Sequence, residues 1–131
     1  MSEKLHHVSI TSRNINKSIN FYQIFGFKSE KIYDDIDITI CWIINNSSRI
    51  EILQFKKSQG EEKPIDDNNF LEKFGISHIA IKIDNVESWR ERLMTAGISC
   101  TRISEARIGS FSYFFIDDPD GNKVEIIGDK T

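Results

Sequence analysis

The sequence predicts an α+β fold of paired βαβββ modules, on three observations. Laid over itself, the chain places His7-Val8-Ser9-Ile10 on His78-Ile79-Ala80-Ile81, and Arg49-Ile50-Glu51-Ile52-Leu53 on Lys123-Val124-Glu125-Ile126-Ile127. The same self-match puts Asn14 on Asn85, Ile15 on Val86 and Gly26 on Gly97, so the start and stop signals of a helix recur as well. Between these anchors, alternating apolar and polar residues mark strands. Two such modules form curved mixed sheets with helices on one face, here expected to surround a metal site.

Each element follows from local signals. Leu5 to Thr11 reads as a strand, with Val8 and Ile10 on one face and His7 and Ser9 on the other. Asn14 is a helix N-cap, Ile15, Ile19 and Tyr22 recur at helical spacing, and Gly26 ends the helix. Phe27 to Tyr33 is a second strand. Ile36 to Ile44 is a third, rich in β-branched residues and expected to be buried. Asn45-Asn46-Ser47-Ser48 is turn chemistry, and Arg49 to Phe55 is the fourth strand.

Lys56 to Gly75 is a polar linker containing Gly60, Pro64 and Asp66-Asp67-Asn68-Asn69, with a short helical piece from Asn69 to Phe74. The second module then repeats the plan. Ile76 to Ile83 is a strand. Asp84-Asn85-Val86-Glu87 reads as a capping box, Val86, Trp89 and Leu93 as the buried stripe, and Gly97 as the stop. Ile98 to Ile103, Ser110 to Ile116 and Lys123 to Ile127 complete the strands. Asp118-Pro119-Asp120-Gly121 is a tight turn with Pro119 at its second position. The expected organisation is one domain over residues 1–131, with modules at about 4–56 and 75–128.

Composition narrows the function classes. With 131 residues, 39% hydrophobic and 28% charged, net charge −3 and pI near 5.6, the chain lacks the basic excess expected of a nucleic-acid or anionic-membrane surface. No apolar run is long enough to span a bilayer, and Met1-Ser2-Glu3-Lys4-Leu5-His6 is not an apolar signal segment, so a cytoplasmic location is expected. Cys41 and Cys100 lack metal or redox spacing and read as free thiols.

The repeat carries chemistry. Imidazole and carboxylate are good ligands for a divalent ion. His7, Glu51, His78 and Glu125 lie opposite the helix-facing residues Val8, Ile50, Ile52, Ile79, Val124 and Ile126. A duplicated module offering one of each, twice, builds a four-ligand site on a two-fold axis. The chain has three histidines; the third, His6, alternates to the other face and reads as structural. Trp42, Phe55, Phe111, Tyr113 and Phe115 lie on nearby strands as candidate pocket walls.

These motifs resemble the vicinal oxygen chelate superfamily of glyoxalase I, methylmalonyl-CoA epimerase, extradiol dioxygenases, and fosfomycin and bleomycin resistance proteins. The carriers are Leu5-His6-His7-Val8-Ser9-Ile10, Phe21-Tyr22-Gln23-Ile24-Phe25-Gly26-Phe27, Ile50-Glu51-Ile52-Leu53, Ser77-His78-Ile79-Ala80 and Asp118-Pro119-Asp120-Gly121-Asn122-Lys123-Val124-Glu125. The resemblance makes His7, Glu51, His78 and Glu125 the ligands of one divalent ion per site, Ni, Co, Mn or Zn, or Fe in a dioxygenase. A His, Glu, His, Glu set is that of glyoxalase I-like lyases and isomerases. It implies proton transfer next to a carbonyl, with the ion as Lewis acid toward an enediolate and Glu125 or Glu51 as base. The alternatives are an epimerase of the methylmalonyl-CoA type, an extradiol dioxygenase, and a non-catalytic drug or metabolite binder.

Thr11 and Phe55 stand where bacterial glutathione-using members carry Arg and Asn, so the usual grips on glutathione carboxylates are missing. The linker around Pro64-Ile65 and Phe70-Leu71-Glu72-Lys73 is similar to that of the epimerases, for which Asp34 or Asp35 is a candidate second base. The expected partners are a small-molecule substrate and a second copy of the chain. Uncovered sheet edges favour a homodimer in which His7 and Glu51 of one subunit meet His78 and Glu125 of the other.

Overall fold

A computed structural model of the protein describes residues 2–57 and 69–130. The middle of the linker, with Gly60, Pro64 and Asp66-Asp67-Asn68, lies outside the described residues. The chain divides into two compact units, Met1–Lys63 and Pro64–Thr131.

The first unit runs β1 (Val8–Thr11), α1 (Ile15–Gln23), β2 (Lys28–Asp34), β3 (Ile38–Asn45) and β4 (Ser48–Phe55). Its sheet has the order β1-β4-β3-β2. β1 runs parallel to β4, and the other pairs are antiparallel, as a crossover helix followed by two hairpin links requires. The second unit adds a short 3-10 turn, Phe70–Glu72, then β5 (Ile79–Lys82), α2 (Val86–Thr95), β6 (Ser104–Glu105), β7 (Phe111–Asp117) and β8 (Lys123–Asp129). Its sheet order, β5-β8-β7-β6, repeats that of the first. The α+β duplication read from the sequence is therefore the observed architecture.

Helix entry is built as expected. The Asn14 side chain accepts from Lys17 N at 3.2 Å, and the Asn85 side chain from Ser88 N at 2.9 Å. Asn85 is thus the N-cap of α2, and the expected capping box beginning at Asp84 does not form. Gln54 Oε1 accepts from Ile15 N at 2.8 Å, tying α1 to the end of β4. α1 buries Ile15, Ser18, Phe21 and Tyr22, and the sheet answers with Ile10, Cys41, Ile43, Ile50 and Ile52. The Ser12 and Ser18 hydroxyls pair at 2.7 Å inside this core, satisfying two buried polar groups at once.

In the second unit the core residues are Ile81, Val86, Leu93, Phe114, Ile116, Val124 and Ile126. Gly128 lets the strand meet the helix start closely: a Cβ there would stand 2.9 Å from both Ile83 O and Val86 Cγ2. Asp118 is buried, and its carboxylate accepts from the backbone of Asp120 and Asn122 and from the Asn122 side chain. Gly121 N donates to Asp118 O at 3.0 Å, closing the turn that Pro119 pre-sets.

Four expectations need correction. Ile98–Ile103 is not a strand: Thr101 N donates to Phe115 O at 3.0 Å, but Thr101 Oγ1 replaces the backbone carbonyl as acceptor for Phe115 N at 2.8 Å. Side-chain competition for the ladder shortens pairing there to Ser104–Glu105. Trp89 is only half-buried, because its indole donates to Asp84 and its ring lies under Arg92, 4.2 Å away. β3 starts at Ile38, Ile36 is exposed, and only Cys41 and Ile43 of the strand are buried. β1 and β5 begin at Val8 and Ile79, one residue after each site histidine. No helix among the described residues is long and apolar enough to cross a membrane.

Candidate functional site

Each unit brings one imidazole and one carboxylate together, at matching places. In β4, Ile50 and Ile52 point to the helix, so Glu51 points away from it. Register sets Ser9 and Trp42 on either side of Glu51. Ser9 Oγ donates to Glu51 Oε1 at 2.5 Å, and Trp42 Nε1 donates to Oε2 at 2.9 Å. These two bonds, the serine first, hold the carboxyl below the usual carboxylate range. His7 Nε2 lies 3.4 Å from Glu51 Oε1.

The second unit repeats the pair without the clamps. His78 Nε2 lies 3.3 Å from Glu125 Oε1. The register partners of Glu125 are Ala80 and Phe115, neither of which has a side-chain donor. Phe115 instead meets the His78 ring edge-on at 5.2 Å, and Phe70 and Tyr113 pack on Phe115 at 5.0 and 5.7 Å. Phe111, Tyr113 and Phe115 all face away from the helix, since Phe114 and Ile116 are the buried residues of β7.

Both histidines are also held from behind. His6 Nδ1 and His7 Nδ1 are 2.7 Å apart, and Ser77 Oγ and His78 Nδ1 are likewise 2.7 Å apart. In each unit the residue before the histidine takes Nδ1 and leaves Nε2 toward the glutamate. His6 therefore does not turn away. Because β1 begins only at Val8, strand alternation does not govern His6, and its ring stacks edge-on to both His7 and Trp42 at 5.0 Å. Sequence reading missed His6, Ser9 and Ser77 as supporting residues. The signal was there: His6 and Ser77 match in the repeat, and Ser9 follows His7 on the same face of the strand.

The donor set fits a divalent ion. Two ligands about 2.0–2.1 Å from one ion stand about 2.9–3.4 Å apart at bond angles of about 90–109°. The His–Glu separations of 3.4 and 3.3 Å fall in that range, and are long for a charge-assisted N–H···O bond, about 2.7–2.9 Å. Hydrogen-bonded support behind each histidine is the usual setting of a metal-ligating imidazole. Within each unit, among the described residues, no third His, Cys, Asp or Glu joins the pair in a metal-holding group.

Asp34 and Asp35 are committed elsewhere. Asp34 pairs with Lys56 at 2.8 Å and accepts from Thr39, while Asp35 accepts from Tyr33 OH and from the backbone of Asp37 and Ile38. The Lys56 bond first for Asp34, and the Tyr33 bond first for Asp35, hold both carboxyls below their ordinary range. They build the turn between β2 and β3.

Comparison with known proteins adds the following. The family model described as the Glyoxalase/Bleomycin resistance protein/Dioxygenase superfamily matches residues 4–126. A lactoylglutathione lyase of Neisseria meningitidis is 26% identical over 98% of this chain and 92% of its own length. One from Schizosaccharomyces pombe is 26% identical over 95% of this chain, which spans 47% of that longer protein. Among solved structures, the Leishmania major glyoxalase I superposes with a TM-score of 0.76 at 19% identity, covering 97% of this chain and 87% of that one. A fosfomycin resistance protein from Listeria monocytogenes, solved with Mn(II), gives a TM-score of 0.68 at 19% identity, covering 96% and 90%.

Proposed function

The chain belongs to the Glyoxalase/Bleomycin resistance protein/Dioxygenase superfamily, and on that premise we propose that it is a metal-dependent lyase or isomerase of the glyoxalase I type. The observation that carries this is the pair of position-matched His–Glu couples, each with Nε2 facing a carboxylate oxygen across 3.3–3.4 Å. His7, Glu51, His78 and Glu125 would hold one divalent ion per site, Ni, Co, Mn or Zn, with Ni or Co the best activator. When bound, the ion supplies Lewis-acid charge beside the substrate's carbonyl oxygens.

The remaining chemistry is proton transfer at the carbon next to that carbonyl, and the two glutamates are unequally suited to it. Glu51 has both oxygens engaged, one by Ser9 and one by Trp42. Glu125 pairs with His78 alone among the described residues, its strand neighbours Ala80 and Phe115 having no side-chain donor. The two accepted bonds stabilise the ionised form of Glu51 and make it the weaker proton acceptor. Glu125 is therefore the base and Glu51 the fixed ligand.

Substrate character follows from the same face of the first unit. Next to Glu51 and Trp42 comes the row Thr11, Leu53, Ile40 and Tyr33, then Ile38 and Phe55. Lys56 at this end is occupied by Asp34 and the Asp35 carbonyl. That lining suits a carbonyl compound with an apolar body better than a peptide carboxylate. Two copies of the chain would assemble a site from His7 and Glu51 of one subunit and His78 and Glu125 of the other. Metal analysis of the purified protein, followed by α-carbonyl substrates with added Ni, Co, Mn, Zn or Fe(II), tests the reading. Unchanged metal content in the Glu51→Ala, His78→Ala double variant would refute it.

A further inference from the structure

We propose that Lys31 and Lys28, brought onto one face of the first sheet by a bulge in β2, bind an anionic group of the substrate, so that the carbonyl compound carries a carboxylate or phosphate several bonds from its reacting carbon. What the substrate is rests on the functional reading above; the anion site itself does not.

Residues three apart in a regular strand point to opposite faces. Lys28 and Lys31 do not. Lys28 pairs with Ile44 and Lys31 with Trp42, and Ile44 and Trp42 share the face that carries Glu51. The register shift between Ser29 and Lys31 adds one residue, Glu30, to β2 and brings Lys31 to that face. Without the shift, Glu30 would stand across from Trp42, and Lys31 across from the buried Cys41. Bulges beside functional sites re-aim side chains in this way. The result is one row across all four strands: Ser9, Glu51, Trp42 and Lys31.

Charge on this face is unbalanced at the lysines. Glu30 is taken by Arg49 through bonds of 2.7 and 3.1 Å, and Glu51 by Ser9 and Trp42. Neither lysine has a carboxylate within ion-pair distance among the described residues. Lys31 Nζ lies instead over the Trp42 ring, 5.9 Å from its centre, which keeps the ammonium on the site face. A lysine ammonium is a point donor for carboxylate and phosphate oxygens. β2 lies two strands from β4, so an anion at Lys31 stands about 5–10 Å from a group at Glu51, one to two strand spacings. A carboxylate directly attached to the reacting carbonyl falls short of that span. The apolar row of Thr11, Leu53, Ile40 and Tyr33 lies on one side of the Trp42 row and Lys28 on the other. An apolar body and a charged end are thus received in opposite directions along the strands.

The test begins with the metal-free full chain at about pH 8, where unperturbed histidine is neutral. The chain has two tryptophans, so proton–nitrogen NMR reads the Trp42 and Trp89 indole N–H groups separately. Titration with inorganic phosphate, and separately with acetate, at constant ionic strength should shift the Trp42 signal saturably and leave that of Trp89 in place. The tighter of the two anions identifies the group. Lys31→Gln, and more so the Lys28→Gln, Lys31→Gln double variant, should weaken the response. Lys17→Gln, an equal loss of charge at an exposed position of α1, should not. Protein loaded with Ni(II) or Co(II) is then given the hemithioacetals of methylglyoxal with 3-mercaptopropionate and with its neutral amide. The acid should be preferred in kcat/KM by about 2–5-fold per lysine, through KM. The preference should vanish in the double variant and fade at high salt. A Trp42 signal that ignores both anions, an equal response in the double variant, or equal turnover of acid and amide would overturn the proposal. If Trp42 responds as stated but no carbonyl compound is turned over, the lyase reading falls and the anion site stands.

Discussion

Trp42 and Phe115 occupy the same position in their sheets, each directly across from the site glutamate, yet only Trp42 bonds to it. The duplicated module has thereby produced one clamped and one unclamped carboxylate. The repeat supplies symmetry of position, and these two aromatic residues remove symmetry of chemistry.

The clamp makes stability depend on pH. Glu51 has its folded value lowered, so its contribution is present above the unfolded carboxylate range and disappears as pH falls through the folded value. Ser9→Ala removes the stronger of the two bonds. Urea unfolding should show a loss of about 0.5–1 kcal/mol at pH 7, given solvent screening at this partly exposed site, that is smaller at an acid pH below the folded value of Glu51. A penalty of equal size at both pH values would mean that the bond does not favour the ionised form.

The same asymmetry predicts different roles for the two glutamates. Under metal saturation, Glu125→Gln should slow exchange of the substrate's α-proton with solvent deuterium by about 10²–10⁴-fold. Glu51→Gln should act mainly by weakening metal retention. Equal effects of the two variants on exchange at saturating metal would contradict the assignment of the base to Glu125.

Assembly is tested by mixing. Neither His7→Ala nor His78→Ala homodimers should be active, while their heterodimer should regain part of the activity because one of its two sites keeps all four ligands. Heterodimers that form but stay dead would show that each site is built within one chain.

Gly128 should not tolerate a side chain. Gly128→Ala sets a methyl group 2.9 Å from Ile83 O and Val86 Cγ2. Relief requires the start of α2 to move, at about 1–3 kcal/mol. Chemical denaturation should show this loss, and Val86→Ala should recover part of it by making room. Ile126→Ala, at a fully buried site of the same core, should cost about 2–5 kcal/mol.

Both thiols should be sluggish. Burial pushes the Cys41 and Cys100 thiols up, and Cys41 is the more enclosed. A disulfide reagent at pH 7.5 should modify Cys100 before Cys41, with both far faster in urea. Rapid labelling of Cys41 in the native protein would show that the first core opens readily.

Much of this was written in the residue pattern. Helix caps at Asn14 and Asn85, the strand faces of Glu51 and Glu125, and the Asp118 turn depend on neighbours within a few positions, which a sequence displays directly. Where the reading failed, particular side-chain partners decided, some distant in sequence and some near. Thr101 breaks its ladder only because Phe115 N is opposite, and Trp89 leaves the core because Asp84 and Arg92 hold it at the surface. His6 was misplaced because alternation was extended beyond the first paired residue of β1. The donors on Glu51 were hidden for a further reason: register between strands depends on the whole sheet, so Trp42 could be placed on a strand but not across from a particular residue.

The thin burial of α2 has a kinetic consequence. α1 buries Ile15, Ser18, Phe21 and Tyr22 in nine residues, whereas α2 buries only Val86 and Leu93 in ten. Local opening free energy tracks buried apolar contact. Amide hydrogens of α2 should therefore exchange with deuterated solvent well before those of α1, through fluctuations that leave the sheet paired. The chain would thus breathe at one end of its duplication while the other stays shut, and protease nicking under native conditions would start in the second copy.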